Sequence, residues 1–258
     1  MHSPLPSSTP TIGIWGLGSL FLLATFPRAL LISLITVLAL QKFGSADYVS
    51  VFYALVSTAG ITLSLCIPTI GRTVGASGLL LIGASTMALS GMVFLGAALP
   101  LFVTAMLLYL FGYAAMEIGL TLFVLKVIPR DQLSYFEPKR VLFMVASYIT
   151  GPWLGITLAT HVAPWSPFVL ASFTSVTALL VIRMLKLHKI DAAPPANSAN
   201  PLRYIGRFFS QPRLRLAWCL TLGRAAWWNM FFIYTPLFAV TYGLGEVIGG
   251  ALVSTGVA

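Results

Sequence analysis

Residues 101–125 read LFVTAMLLYLFGYAAMEIGLTLFVL, bounded by Pro100 and Lys126 and carrying one charge, Glu117. At about 1.5 Å of rise per residue, a helix of this length crosses a hydrocarbon core of about 30 Å with room to tilt. The stretch therefore reads as a membrane span with an acid inside it. An ionised carboxylate at that depth is costly unless it faces a cavity or a partner, which makes Glu117 a candidate functional residue. Its candidate partners are Arg28 and Arg224, basic residues well inside other apolar runs.

Outward from this span, the chain of 258 residues is 58% hydrophobic and 8% charged, too apolar for a soluble domain. Apolar runs fall near 14–41, 47–69, 78–98, 100–126, 140–161, 165–185 and 214–241, with the start of an eighth from 245. Seven complete spans and part of another are expected. The net charge of +9 would point to nucleic acid in a soluble protein, but here 12 of the 15 Lys and Arg border the connections after runs two, four and six. They are Arg72; then Lys126, Arg130, Lys139 and Arg140; then Arg183, Lys186, Lys189, Arg203, Arg207, Arg213 and Arg215. The opposite connections hold Lys42. This bias predicts a multi-pass protein of a bacterial cytoplasmic (inner) membrane, its N-terminus and even-numbered connections in the cytoplasm, with the lipid bilayer and no nucleic acid as partner. Residues 1–10 lack the basic segment of a secretory signal, so the first span is expected to serve as its own insertion signal. Cys66 and Cys219 sit in apolar runs and read as small packing residues.

Composition changes sharply at KLHKIDAAPPANSANP, residues 186–201. It divides the chain into a six-span part, 1–185, a cytoplasmic linker, 186–213, and a last part, 214–258. Within the linker, PLRYIGRFFSQP places Leu202, Ile205, Phe208 and Phe209 toward one side of a short helix, which suits an amphipathic segment on the inner leaflet; a solvated loop is the alternative. An internal repeat links the two parts. Arg28-Ala29 leads to Ala54-Leu55-Val56-Ser57-Thr58, and Arg224-Ala225 leads to Ala251-Leu252-Val253-Ser254-Thr255, at offsets of 196 and 197. Six spans separate equivalent positions, an even number, so the copies share an orientation.

Six spans, a long cytoplasmic linker and a second parallel set resemble the major facilitator superfamily of secondary transporters. The resemblance implies an all-α membrane protein, with a six-helix N-terminal bundle and the first helix and a half, roughly, of a second parallel-repeat bundle. The family's loop motif between spans two and three is similar to Pro68-Thr69-Ile70-Gly71-Arg72-Thr73-Val74-Gly75-Ala76-Ser77, which implies gating roles for Gly71, Arg72 and Gly75, although the Asp and the basic pair are missing. Gly151-Pro152-Trp153-Leu154-Gly155 resembles the Gly-Pro-x-x-Gly core of an antiporter motif, in which Gly151, Pro152 and Gly155 bend a helix and let a neighbour approach. Because the family implies about twelve spans and the sequence given stops inside an apolar run, a missing C-terminal half is expected as a partner.

In the resembled fold, helices one, four and seven line a central cavity, which would gather Arg28, Glu117 and Arg224. Two guanidiniums and one carboxylate make a net cationic site suited to an anionic group; a structural ion pair is the alternative reading. Tyr113, Asn229, Trp227, Trp228 and Tyr234 share those helices and could bind a ligand, although neighbouring Trp227 and Trp228 cannot both face one cavity. His161 lies near an outer end. No metal-type His pair, phosphate loop or nucleophile motif occurs, and the acids are scattered. The reading is a non-enzymatic secondary transporter of a small-molecule substrate working by alternating access, with proton-coupled efflux as its candidate mode and no cofactor or metal. A lipid-modifying membrane enzyme and a receptor or scaffold are the alternatives.

Overall fold

The computed structural model describes residues 14–96, 98–185 and 205–257. Among them every regular element is a helix, and there are no strands. The helices are α1 Ile14–Phe43, α2 Ala46–Ser64, α3 Ile67–Val93, α4 Leu99–Val127, α5 Arg130–His161, α6 Ser166–Met184, α7 Ile205–Phe209, α8 Pro212–Thr241 and α9 Glu246–Val257. Local chemistry explains the breaks. Gly44 supplies a φ of 75° after α1, and the Ser45 hydroxyl then caps α2 by accepting from the Tyr48 N–H at 3.3 Å. Prolines stand in the first turns of α3, α4, α6 and α8, where a missing N–H costs nothing.

Six helices, α1 to α6, are long and apolar enough to cross a membrane, the architecture of a multi-pass membrane protein. Of the most apolar window in each, 72% is buried in α1 and 17% in α2, so α1 is the central element and α2 a peripheral one. α1 packs on α5 and α6, α3 on α4 and α6, and α9 on α5 and α8. Small and hydroxylated residues make these crossings close. The hydroxyls of Thr25 and Ser147 tie α1 to α5 at 3.0 Å, Ser90 donates to the Ala105 carbonyl at 3.0 Å, and Ser172 to the Ala88 carbonyl at 2.9 Å. Such interhelical bonds contribute about 0.6 kcal/mol each in a membrane, so they orient helices more than they hold them.

Several expectations are corrected. The seventh expected span forms α8, 30 residues long, but it is not among the helices apolar enough to count as a span, because Arg213, Arg215, Arg224 and Asn229 dilute it. The second helix stops at Ser64 instead of 69, and the expected connection 70–77 is mostly helix. α3 starts at Ile67 and breaks at Gly75, whose φ of 77° and ψ of 177° suit glycine alone. α5 starts at Arg130, well before 140, so Lys139 and Arg140 are helical. Cys66 and Cys219 are exposed and do not pack inside the bundle. Of the linker, α7 is a five-residue helix, and residues 186–204, including Leu202, lie outside the described residues.

Candidate functional site

Tyr109, Tyr113 and Glu117 follow one another at intervals of four on α4, so they form one stripe of that helix. The stripe meets α1 at Arg28, fifteenth of the 30 residues counted from Ile14 and so at mid-helix. The Tyr109 hydroxyl donates to the Arg28 carbonyl at 3.1 Å, pinning α4 to α1 at this level. One turn along, the Arg28 guanidinium carbon lies 3.5 Å from the centre of the Tyr113 ring, a cation–π contact. Glu117, one turn further along α4, lies within electrostatic reach of both Tyr113 and Arg28. Among the described residues Arg28 and Glu117 form no direct ion pair.

α5 closes the other side. A Cβ added at Gly151 would come within 2.7 Å of the Ala29 carbonyl carbon, and one at Gly155 would overlap the Leu30 carbonyl oxygen. The Gly-Pro-x-x-Gly segment thus brings the α5 backbone flush against α1, one and two residues beyond Arg28. Tyr148, three residues before Gly151, is thereby placed within electrostatic reach of both Arg28 and Glu117. Its ring stacks on Phe232 of α8 at 5.3 Å, and Phe232 stacks on Trp228 at 5.4 Å.

Between α1, α2, α4 and α8 lies a small, open cleft of about 60 Å³. Its polar lining is Arg28, Tyr53, Ser57, Tyr109 and Asn229, set in an aliphatic wall. The Tyr53 and Thr36 hydroxyls share a hydrogen bond of 2.9 Å, which fixes that ring, and the Asn229 amide donates to the Ala225 carbonyl at 2.8 Å. The cleft is thus a cation and several neutral polar groups facing an apolar body of space, suited to binding rather than to bond-breaking.

Of the residues expected from the sequence, Arg28 and Asn229 line the cleft and Tyr113 packs on Arg28, while Glu117 is not part of its lining. Nor is Arg224. It is exposed, in a stretch from Gln211 to Trp227 that is exposed on every face of the helix. Trp227 is exposed as well, and Tyr234 turns to α2, sharing a hydrogen bond with Ser50 at 3.1 Å. Gly71 and Arg72 lie in the first turns of α3 and Gly75 at its break, none of them lining the cleft, and His161 is exposed at the end of α5. Lys139 lies 3.8 Å over the Tyr135 ring, and Arg140 pairs with Glu137 at 2.8 Å. Sequence reading missed Tyr53, Ser57, Tyr109 and Tyr148. The four-residue spacing from Glu117 back to Tyr109 was a usable signal; for Tyr53 and Tyr148 there was none. Among the described residues no three His, Cys, Asp or Glu side chains gather as a metal site would require. Compared with known protein families and with curated proteins, the chain matches none of them.

Proposed function

We propose that the chain acts as a secondary active transporter of the major facilitator type, moving a small solute by alternating access at the bacterial cytoplasmic membrane, with its N-terminus in the cytoplasm. The observation that carries this reading is the mid-span cleft. It joins a cation on α1 to an amide on α8, and so takes its lining from both ends of the chain. A binding site at the seam of two helix sets, near the middle of the membrane, is what alternating access requires. The parallel repeat has support of its own. α1 and α8 are each 30 residues long, and each is followed by a turn with positive-φ glycine, Gly44 in one case and Gly243 and Gly245 in the other. Equivalent serines in the second helix of each pair both meet a neighbour: Ser57 lines the cleft, and Ser254 accepts from the Trp153 N–H at 3.1 Å.

In this reading Arg28 holds the solute, and Glu117, one turn beyond Tyr113 on α4, carries a coupling proton. The test is flux in proteoliposomes that hold the chain together with the C-terminal half this reading expects as its partner, screened over a solute library on a solid-supported membrane. Saturable currents abolished by Arg28→Ala are expected. A protein that binds a solute yet carries no current with any member of the library under either pH gradient would overturn the reading.

A further inference from the structure

The Arg28 guanidinium enters the cleft as a cation with no acceptor. Its contact with Tyr113 uses the flat face of the group, 3.5 Å above the ring centre, and leaves the N–H donors at its edge unengaged. Among the described residues no carbonyl, hydroxyl or carboxylate accepts from them, and Glu117 forms no ion pair with Arg28. Arg28 is half-buried at the cleft, and a guanidinium at mid-span depth is costly to leave without an anionic partner. The lining of the cleft limits what could satisfy it. One cation is present, Arg224 lying outside the lining, so a second negative charge on the ligand would find no partner. The rest of the wall is aliphatic, from Ile32, Met106, Leu110 and Ile233, with neutral hydroxyls from Tyr53 and Ser57.

We infer that the cleft takes a small monoanion with an apolar body, of the monocarboxylate class. The carboxylate meets the edge of Arg28 in a two-bond fork, and the body lies on the aliphatic wall. This names the solute class for the transporter reading and rests on it. A free solute is meant, not a lipid headgroup. Arg28 is at the middle of a 30-residue helix, roughly 20 Å from either end at 1.5 Å per residue and far below the headgroups.

Binding can be read without transport. The protein in phosphatidylcholine nanodiscs is offered radiolabelled benzoate, and benzoate, cyclohexanecarboxylate and hexanoate are compared as competitors with their matched amides and amines. Saturable benzoate binding is expected, with each acid competing at least tenfold better than its amide or amine. Arg28→Gln should weaken binding tenfold or more, and Arg28→Lys, which keeps the charge and loses the fork, by less. Amides or amines that compete as well as acids, no saturable binding of any acid, or full affinity in a folded Arg28→Gln protein would overturn the inference. If Arg28→Gln does not fold, the acid-against-amide comparison in the unaltered protein decides. Adding phosphatidylglycerol should leave benzoate binding unchanged, and displacement by it would overturn the assignment to a free solute. Acid-selective binding without flux would sink the transporter reading alone, whereas flux of a neutral or cationic solute would sink this inference alone.

Discussion

Glu117 has two possible roles, and one isosteric change separates them. Glu117→Gln keeps the shape of the side chain, but it cannot carry a proton. If the carboxylate is the coupling group, accumulation driven by an imposed pH gradient should fail while solute counterflow survives, and the two assays on one preparation will show it. If it is a structural counter-ion, Gln leaves Arg28 without a nearby negative charge, thermal unfolding should move down by several degrees, and a second change, Arg28→Gln, should restore it. Intact pH-driven uptake would remove the coupling role. The ring beneath Arg28 gives a separate prediction. Tyr113→Leu loses the cation–π contact and should cost about 1–2 kcal/mol, whereas Tyr113→Phe keeps the ring and should cost less than half of that, measured by unfolding in one detergent. Charged residues in apolar runs were legible from sequence because hydrocarbon makes them conspicuous. Their partners were less so: a tyrosine in a span is ordinary, and only its position on the helix face relative to Glu117 distinguishes Tyr109 or Tyr113. Arg224 shows the limit of depth as a guide, since the same depth in an exposed stretch of α8 leads away from the cleft.

The pairing of α1 with α5 rests on backbone contact, which makes it sensitive to single carbons. Gly155→Leu would drive a side chain into the Leu30 carbonyl and should destabilise the bundle by about 3 kcal/mol or more, at or beyond the upper end of ordinary overpacking, because backbone yields less than side chains do. Gly223 on α8 is the control: a Cβ there meets nothing within 4 Å, so Gly223→Ala should be neutral or add up to about 1 kcal/mol through helix propensity. Unfolding midpoints of the two variants, compared with the parent, check both. A Gly155→Leu protein as stable as the parent would mean that the helices do not cross where they are placed. The Gly-Pro-x-x-Gly segment was legible as a close-packing device, but its neighbour was not, because sequence spacing does not say which helix comes near. Element ends were the least legible. Hydropathy does not register Gly75, which breaks α3 in the middle of what otherwise runs as one helix.

At the scale of the molecule the open question is whether α8 crosses the membrane, since hydropathy alone does not place it among the spans. Its ends answer in geometric terms. Beyond its C-terminal end, Glu246 accepts a hydrogen bond from Gln41 at 3.0 Å, so the turn after α8 lies at the same end of the bundle as the turn after α1. With 30 residues, α8 is roughly 45 Å long at 1.5 Å per residue, enough to reach the opposite face from there. Six hydrophobic helices precede it, and an even number of crossings brings the chain back to the side on which it began. In the proposed orientation that side is the cytoplasm. Labelling with a membrane-impermeant thiol reagent tests the whole arrangement, once the exposed Cys66 and Cys219 have been replaced by serine. Single cysteines at Ser134, before the buried part of α5, and at Gln211, the cap of α8, should react only from the cytoplasmic side. Cysteines at Ser45, in the turn after α1, and at Tyr242, in the turn after α8, should react only from outside. If Tyr242→Cys reacts from the cytoplasmic side while Ser45→Cys reacts from outside, α8 does not cross, the polar groups that dilute it lie at the surface, and a transmembrane cleft that includes Asn229 cannot stand. If all four positions are inverted together, the bundle stands and its orientation is reversed, so that a proton gradient read as driving efflux would drive uptake.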